Sequence, residues 1–434
     1  MRAYAVPTIA AGANAVLSIF FFVGISHAFG DTALGRVVLV QATAAIVLIA
    51  TMPQCGPYMI AAQGEVDAKA RYGRAVTLEA AGLIVGFLLL VGATQIPWSI
   101  FDIVRDGALL VFWSLAVQGM GSCQGWLRVR EHWRTYALWV IFPNLIRVPM
   151  ILLVPMFAGQ EWVQAAGQDP AKILLWFFLV PDLARMILIV APVLIAHYRP
   201  PPRSELRPAA RLIGHNWLYD IGSQITDVAD KLVVGALLGP PALAAYFFAR
   251  RIGATTSMVT EPFYWERYRQ LLQIPPAAHP REQSRVFGLG LALAASIFAV
   301  LSAGVAFALS LSVLRPLVPM TIMEHMPLFF GVLLFDCLLA ANRWSRFLSQ
   351  LQANSLELFI VRIATFIVFS ANVTLFGDFR NGVGTVLALG ISAILEGLYL
   401  RFRMLRRASR LQAASADAWP LNSPARGDGG PQTR

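Results

Sequence analysis

The sequence predicts an all-α, polytopic membrane protein with about twelve transmembrane helices arranged as two six-helix bundles. Three observations support this fold class. Of the 434 residues, 57% are hydrophobic and only 14% are charged, whereas a soluble domain carries about 25% charged residues. The mean hydropathy is +0.62. Apolar runs of roughly 20 residues, the length that crosses a bilayer, recur along the chain.

Twelve apolar segments have the length and composition of membrane spans. They cover residues 5–29, 36–61, 75–94, 106–126, 135–158, 171–196, 211–238, 242–263, 286–312, 326–342, 354–376 and 381–400. Alternate connections are rich in arginine and lysine, whereas the others hold one basic residue each at most. Because basic residues are retained on the cytoplasmic side, this pattern favours an even number of spans and places both termini in the cytoplasm.

The connection between the sixth and seventh spans divides the chain into two halves. It contains three prolines at 200–202 and several arginines. We predict an N-terminal six-helix bundle over residues 1–198, a cytoplasmic linker over 199–210 and a C-terminal six-helix bundle over 211–410. The tail, residues 411–434, is rich in Ala, Ser, Pro and Gly, a composition typical of disorder.

A polar stripe runs through the seventh apolar segment. Its members follow one another at intervals of four, four, three and four residues, so they share one face of an α-helix. They are Asn216, Asp220, Gln224, Asp227 and Lys231. Each charge at the centre of a spanning helix costs roughly 2.5–3.5 kcal/mol on insertion scales. A chain that retains several charges on one face is therefore predicted to line a hydrated pathway with them, which favours transport over passive anchoring.

Several functional classes lack their sequence signatures. No lysine follows a glycine, so the sequence contains no phosphate-binding P-loop. The six histidines are isolated, and Cys55, Cys123 and Cys337 lie far apart in apolar segments, which argues against a metal site or a disulfide framework. A soluble basic face for nucleic acid is also missing. We therefore predict no cofactor, no metal, no catalytic residues and no nucleic-acid partner.

The most specific motif spans residues 230–251 and reads DKLVVGALLGPPALAAYFFARR. An aspartate and a basic residue precede an apolar run, which is followed by Gly-Pro, a short turn and a Tyr-x-x-Ala helix. This motif resembles the bacterial polysaccharide biosynthesis (O-antigen) flippases. Their superfamily of multidrug, oligosaccharidyl-lipid and polysaccharide exporters also includes the multidrug extruders and the lipid II flippases. Residues 29–35 resemble residues 238–244, so the first half repeats part of the layout.

The resemblance implies a flippase that moves an undecaprenyl-diphosphate-linked oligosaccharide across the bacterial inner membrane for exopolysaccharide or O-antigen assembly. Transport would proceed by alternating access through a cationic cavity between the two bundles. The expected partners are the lipid-linked oligosaccharide, membrane lipids, H⁺ or Na⁺, and the polysaccharide polymerase machinery. Without a nucleotide site, the driving force is an ion gradient, the substrate's own gradient or the membrane potential.

Six basic residues at membrane depth are candidate substrate-binding groups, because a diphosphate head needs a cationic lining and guanidinium offers a planar fork for phosphate oxygens. They are Arg147, Arg185, Lys231, Arg250, Arg251 and Arg362. The alternative for each is pairing with a carboxylate. Asp182 with Arg185 at i+3, and Asp227 with Lys231 at i+4, have the spacing of intrahelical pairs. The adjacent arginines 250–251 point about 100° apart, so at most one faces a given cavity.

Four aspartates are candidate ion-coupling groups, because a desolvated carboxylate can load and release a proton near neutral pH. They are Asp220, Asp227, Asp230 and Asp336. Salt bridges or polar contacts between helices are the alternative role for the same side chains. Glu79, Glu357 and Glu396 lie nearer helix ends and are expected on solvated faces, while Asn14 and Asn144 are expected to hydrogen-bond between helices.

Two other functions are alternatives to the flippase. An ion-coupled multidrug-type antiporter of the same fold would need an acidic, aromatic cavity, whereas intramembrane arginine is plentiful here. A membrane-embedded glycosyltransferase or polymerase would need a large extracytoplasmic loop with clustered acids or arginines. The longest such loop, residues 159–169, is too short for that.

Overall fold

The computed structural model describes residues 2–60, 62, 64–95, 107–165, 170–271, 279–312, 315, 318–351, 355–376 and 382–418. Every secondary-structure element among these residues is a helix, which confirms the predicted all-α fold. The helices are α1 (Arg2–Phe29), α2 (Asp31–Thr51), α3 (Gly56–Ile60), α4 (Gly64–Thr94), α5 (Ala108–Gly119), α6 (Gly121–Val129), α7 (Trp133–Ala165), α8 (Pro170–Arg185), α9 (Ala191–His197), α10 (Arg203–Leu271), α11 (His279–Ser310), α12 (Met320–Glu324), α13 (Met326–Leu351), α14 (Ser355–Phe376) and α15 (Val383–Ala418). A π-helical turn, Met186–Val190, joins α8 to α9.

The helices are those of a polytopic membrane protein. Within the described ranges, nine segments are long and apolar enough to cross a membrane, and Met326–Ala340 is a shorter apolar helix. One of the nine, Asp227–Ala254, straddles Gly239, whose φ of 81° and ψ of 173° break α10. We call residues 203–238 the first arm of α10 and residues 240–271 its second arm. These arms correspond to the predicted seventh and eighth spans.

Glycine makes the same turn in both halves of the chain. Gly30, between α1 and α2, has φ 85° and ψ 157°, close to the values at Gly239. Glycine populates positive φ at no steric cost, whereas other residues are strained there. The sequence similarity between residues 29–35 and 238–244 thus coincides with a shared backbone conformation.

Two predicted spans are broken helices in the structure. The segment 36–61 stops at Thr51, because the residue before a proline is driven out of the helical region, and Met52 before Pro53 has φ −95° and ψ 113°. The segment 106–126 breaks at Met120, which separates α5 from α6. Both breaks lie in the first half of the chain.

The helix α2 joins the two halves by packing along α10. A Cβ added to Gly35 would lie 2.1 Å from the carbonyl oxygen of Pro240, so backbone meets backbone there. Nearer the other end of α2, the indole N–H of Trp217 donates to the carbonyl oxygen of Ile49 at 2.9 Å. Elsewhere α1 packs on α7, while α10 also packs on α13 and α14. The division into two mobile six-helix bundles stays a prediction.

Candidate functional site

A buried ion-pair network lies in the first half of the chain. Asp182 on α8 is fully buried, and its carboxylate lies 2.7 Å from Nη2 of Arg185 and 2.7 Å from Nη2 of Arg147 on α7. The predicted i+3 pair of Asp182 and Arg185 is confirmed, and the fold adds Arg147. One carboxylate therefore faces two guanidinium groups. We call these three residues the arginine network; it holds an excess of positive charge.

Neutral polar groups fix the geometry of the arginine network. Ser114 and Gln118 on α5 both donate to Oδ2 of Asp182, the amide at 2.9 Å. The side-chain amide of Asn144 donates to Oδ1 of Asn14 on α1 at 2.8 Å. This confirms the predicted hydrogen bond between helices. Asn144 also accepts a hydrogen bond from Nη1 of Arg147 at 3.3 Å. Buried charges need such partners, so Ser114, Gln118 and Asn144 stabilise the network.

Arg251 lies where the second arm of α10 meets α1. Its Nε and Nη2 donate to the hydroxyl of Ser18 at 2.9 and 2.7 Å, and its Cζ lies 5.9 Å from the ring centre of Phe22. The side chain is exposed. Among the residues described, no carboxylate forms an ion pair with it. Arg251 therefore presents a guanidinium charge to the space between the two halves.

An aromatic cluster lies between Arg251 and the arginine network. The ring of Phe22, which Arg251 contacts, lies 5.3 Å from that of Phe21 and 6.1 Å from that of Phe178. On the other side, Cζ of Arg147 lies 5.0 Å from the ring centre of Phe178 and 5.9 Å from that of Phe21. Aromatic faces attract cations. The cluster thus allows two guanidinium groups from opposite halves of the chain to approach each other.

A second cluster, in the other half, has the opposite balance of charge. Arg250 on the second arm of α10 lies 3.3 Å from the carboxylates of Asp227 and Asp230 on the first arm, and it also pairs with Asp336 on α13. A Cβ on Gly253 would lie 2.5 Å from Cβ of Asp336. The glycine thus permits this close approach. We call Asp227, Asp230, Arg250 and Asp336 the acid cluster.

Lys231 joins the acid cluster through a different partner from the one predicted. Its ammonium donates to the backbone carbonyl of Asp227 and lies 3.5 Å from the carboxylate of Asp230. The predicted i+4 pair between Lys231 and the Asp227 carboxylate is therefore wrong, because Arg250 engages that carboxylate. The hydroxyl of Tyr246 donates to Asp230 at 2.5 Å. In the described part of the structure, three carboxylates thus face the two cations Lys231 and Arg250.

The acid cluster opens on a small cavity. Arg362 on α14 lies 3.2 Å from Glu396 on α15, and both line a cavity of about 50 Å³ together with Asp227, Asp230 and Arg250. A water needs roughly 10–15 Å³ on this scale. The cavity therefore accommodates a few waters or a bare cation but is too small for a sugar.

The expectation of solvated glutamates is wrong for two of three residues. Glu79 is 0% exposed and Glu396 is 3% exposed. Glu357 is partly exposed and pairs with Arg403. The helices that contain Glu79 and Glu396, Gly64–Thr94 and Val383–Ala418, are longer than the predicted spans, so both residues lie well inside a helix and not near its end.

The structure separates the predicted binding residues into three groups. Arg147 and Arg185 belong to the arginine network, Arg250, Lys231 and Arg362 surround the acid cluster, and Arg251 lies between the halves. The divergence predicted for the neighbouring arginines 250 and 251 is confirmed by their different partners. Of the predicted coupling residues, Asp227, Asp230 and Asp336 come together, whereas the Asp220 side chain lies outside the described residues.

Some residues of these clusters were not among the sequence candidates. Ser114 and Gln118 lie four apart in the otherwise apolar α5, a spacing that marks one helix face and could have been noticed. Ser18 and Tyr246 carry no comparable signal, because single hydroxyls in apolar helices are common. Their roles depend on contacts between distant segments.

The fold is shared with solved transporter structures. No family model and no curated protein matches the sequence. The lipid II flippase MurJ in an inward closed conformation aligns with a TM-score of 0.60 at 12% identity, over 91% of this chain and 86% of that chain. The MATE multidrug transporter DinF-BH aligns with a TM-score of 0.56 at 12% identity, over 92% and 93%. An inward-facing MATE family transporter of the MOP superfamily aligns with a TM-score of 0.55 at 13% identity, over 93% and 96%. At these identities the likeness defines the fold.

Proposed function

We propose that this protein is a membrane transporter, a flippase that carries an undecaprenyl-diphosphate-linked oligosaccharide across the bacterial inner membrane by alternating access. The fold is the one found in a lipid II flippase and in multidrug transporters. The two halves, residues 1–198 and 211–410, are proposed as the bodies that move. Both termini are proposed to be cytoplasmic, and the glycan is proposed to feed exopolysaccharide or O-antigen assembly.

The observation that carries this proposal is the position of the Arg251 guanidinium between the two halves, where no carboxylate among the described residues forms an ion pair with it. Within the part of the chain that the structure describes, it donates to the hydroxyl of Ser18 and lies over the ring of Phe22, across one aromatic cluster from Arg147. A phosphate oxygen at ~4 Å contributes about 4 kcal/mol per guanidinium at an effective dielectric near 20, before desolvation. Arg147 is already paired with Asp182, but the arginine network contains two guanidinium groups and one carboxylate, so it retains a net positive charge. An anionic head group is therefore the ligand that fits this surface.

The excess negative charge of the acid cluster supports a separate role in the proposed mechanism. Its cavity is too small for the glycan, and its acidic lining residues are Asp227, Asp230 and Glu396. H⁺ or Na⁺ is the ligand of suitable size and charge. We propose that Asp227, Asp230 and Asp336 couple cation entry to the movement of the two halves.

An ion-coupled multidrug antiporter is the alternative, and two observations favour it. Structures of that class share the fold, and the acid cluster attracts cations. Under this alternative the transported molecule is a cation that binds at the acid cluster, and Arg251 does not bind phosphate. The two proposals therefore differ in the charge of the transported molecule.

The test uses proteoliposomes loaded with a fluorescent polyprenyl-diphosphate-linked sugar in one arm and a cationic dye in the other. Movement of the lipid is read from the fraction of label that a membrane-impermeant quencher reaches. We expect the wild-type protein to move the lipid. In Arg251→Ala the rate of lipid movement should fall at least tenfold, because the contact with phosphate is removed. Arg251→Lys should retain part of the wild-type rate.

The matched control is Arg285→Ala, because Arg285 is 71% exposed and pairs with Glu282 only at 3.7 Å. This variant should transport like wild type. Dye movement without lipid movement would overturn the flippase proposal in favour of the antiporter. Lipid movement that is unchanged in Arg251→Ala would overturn the assigned binding surface.

A further inference from the structure

Glu79 is a buried carboxylate whose hydrogen-bond donors, among the described residues, are neutral groups. It lies in α4 and is fully buried. Its Oε1 accepts the backbone N–H of Ser122 at 2.8 Å, and its Oε2 accepts the Ser122 hydroxyl. The backbone N–H and the thiol of Cys55 lie close to the same carboxylate, while the thiol donates to the carbonyl oxygen of Ala75 at 3.7 Å. In the described ranges, none of the arginine, lysine or histidine side chains forms an ion pair with Glu79.

The carboxylate lies where two broken helices meet. Ser122 is in the first turn of α6, directly after the break at Met120, and Cys55 is the last residue of the break before α3. A Cβ on Gly121 would lie 2.8 Å from the backbone nitrogen of Gly56 and 3.4 Å from Oε1 of Glu79. The first N–H groups of a helix lack partners within it. Glu79 supplies an acceptor for them from a third helix.

The two short helices beyond the breaks pack as one piece. A Cβ on Gly125 of α6 would lie 2.4 Å from Cβ of Met59 on α3. Their shared core contains Cys55, Met59 and Trp126. Glu79 is therefore a buried polar connection between α6 and the long helix α4, in addition to the hydrogen bonds that Arg71 and Arg74 of α4 donate to Tyr58 of α3.

The groups that surround Glu79 leave its charge uncompensated. The thiols of Cys55 and Cys123 and the phenol of Tyr72 face it from the first break, α6 and α4. Arg185 on α8 interacts electrostatically with the thiol of Cys123, but its guanidinium is paired with Asp182 and not with Glu79.

Towards the start of α4, the other charged groups are already engaged. Arg74 is held by Glu205 of α10 and Tyr58 of α3. His197 of α9 stacks on Trp126 at 4.6 Å. A buried carboxylate in such surroundings is stabilised only by the hydrogen bonds that it accepts.

We propose that Glu79 is a proton-binding site that controls how firmly α3 and α6 are held against α4. The ionised carboxylate accepts from Ser122 and Cys55 and closes both breaks. A proton that binds to Oε2 turns this oxygen into a donor, so the charge-assisted hydrogen bond from the Ser122 hydroxyl is replaced by a weaker neutral one. The contact of α3 and α6 with α4 then loosens. The site is separate from the acid cluster, which lies in the other half, and it is independent of the cargo in the proposed function.

The native thiols report directly on this movement, because Cys55 and Cys123 flank Glu79 whereas Cys337 lies in α13. All three are buried. The full-length protein in nanodiscs is treated with a dipyridyl disulfide, which reacts at acidic and neutral pH. Labelling of each cysteine is read by mass spectrometry, relative to denatured protein at the same pH.

In wild type, labelling of Cys55 and Cys123 should rise between pH ~8 and ~5, the range in which a buried carboxylate titrates, while Cys337 stays constant. In Glu79→Gln, Cys55 and Cys123 should be labelled about ten- to a hundredfold faster at pH ~8. This factor corresponds to the stability contributed by hydrogen bonds to a charged acceptor, which the variant loses. This variant should show no further pH dependence. Glu79→Asp should retain the pH dependence.

A wild-type labelling rate that is the same across this pH range would overturn the proposal, as would an unchanged pH dependence in Glu79→Gln. If Glu79→Gln does not fold, the comparison of wild type with Ser122→Ala decides. Removal of that hydroxyl should raise the labelling rate at pH ~8 and weaken its pH dependence, and an unchanged profile would contradict the proposal.

Discussion

Asp31 accepts a hydrogen bond from the backbone N–H of Thr321 at 2.9 Å, which ties the first residue of α2 to the short helix α12 in the other half of the chain. Ser26 donates to the second carboxylate oxygen of Asp31. The hydroxyl of Thr321 donates to the carbonyl of Pro241 at 2.7 Å, just after the break in α10. These four residues form a clasp that holds one end of the two halves together.

The first prediction concerns the carboxylate of the clasp. Asp31→Asn keeps the size of the side chain but replaces one acceptor oxygen with a donor. Hydrogen bonds to charged groups contribute about 1.5–3 kcal/mol, so the closed arrangement should lose at least about tenfold in population. The measurement is the distance distribution between spin labels at Thr32 and Met320, both exposed next to the clasp, in a variant whose native cysteines are alanines.

The control for this prediction is Asp67→Asn, because Asp67 pairs with Arg71 within one turn of α4, far from the clasp. It should give the wild-type distribution. A distribution in Asp31→Asn that matches wild type would show that the clasp contributes nothing to closure.

The second prediction concerns the glycine contact next to the clasp. A Cβ at position 35 would lie 2.1 Å from the Pro240 carbonyl oxygen, so Gly35→Ala must push α2 away from α10. Overpacking of this kind costs about 1–3 kcal/mol. We expect a lower Tm in detergent and a loss of transport in proteoliposomes. In Gly12→Ala the added methyl meets nothing within 4 Å, and it should preserve both properties. Equal Tm values for the two variants would contradict the packing argument.

The all-α class and the positions of the apolar helices were predictable from the sequence, whereas the helix breaks and bends were not. Apolar runs of membrane length determine where a helix can exist, and each predicted span falls on a helix or a pair of short helices. The break at Met120 has no proline, and it depends on acceptors such as Glu79 on α4 and the packing of Gly121 against Gly56. Contacts of that kind join segments distant in sequence and leave no local pattern.

The same limit applies to the candidate site. Spacing predicted Asp182 with Arg185 correctly, because both lie on one helix. Spacing predicted the pair of Asp227 with Lys231 incorrectly, because Arg250 on the second arm of α10 pairs with the Asp227 carboxylate. An intrahelical pair is predictable only when no group from another helix competes for it.

The third prediction concerns the central carboxylate of the arginine network. Asp182→Asn leaves Arg147 and Arg185 buried without a counter-charge. Removal of one partner from a buried ion pair costs about 3–5 kcal/mol, so this variant should show a large fall in Tm. Glu357→Gln removes a partly exposed partner of Arg403 and should cost less than about 1 kcal/mol. Adding Arg147→Met to Asp182→Asn should restore part of the lost stability, and a further loss in the double variant would contradict this interpretation.

The fourth prediction concerns the acid cluster and rests on its proposed role in coupling. Among the described residues, three carboxylates face Arg250 and Lys231, and we propose that this cluster attracts one further cation. Asp336→Asn removes that excess charge. A unit charge at ~4 Å contributes about 4 kcal/mol before desolvation at an effective dielectric near 20. We therefore expect transport driven by a proton or sodium gradient to fall at least about tenfold, while movement of the substrate down its own gradient persists.

The measurement compares gradient-driven and downhill transport in the same proteoliposomes. Glu65→Gln is the control, because Glu65 is a half-exposed partner of Lys69 on the surface of α4, and it should leave both rates unchanged. Arg250→Ala acts in the opposite direction, since it leaves three carboxylates beside a single lysine and should strengthen the dependence of transport on the cation. If Asp336→Asn lowers downhill and gradient-driven transport equally, the acid cluster acts in holding the fold together and not in coupling.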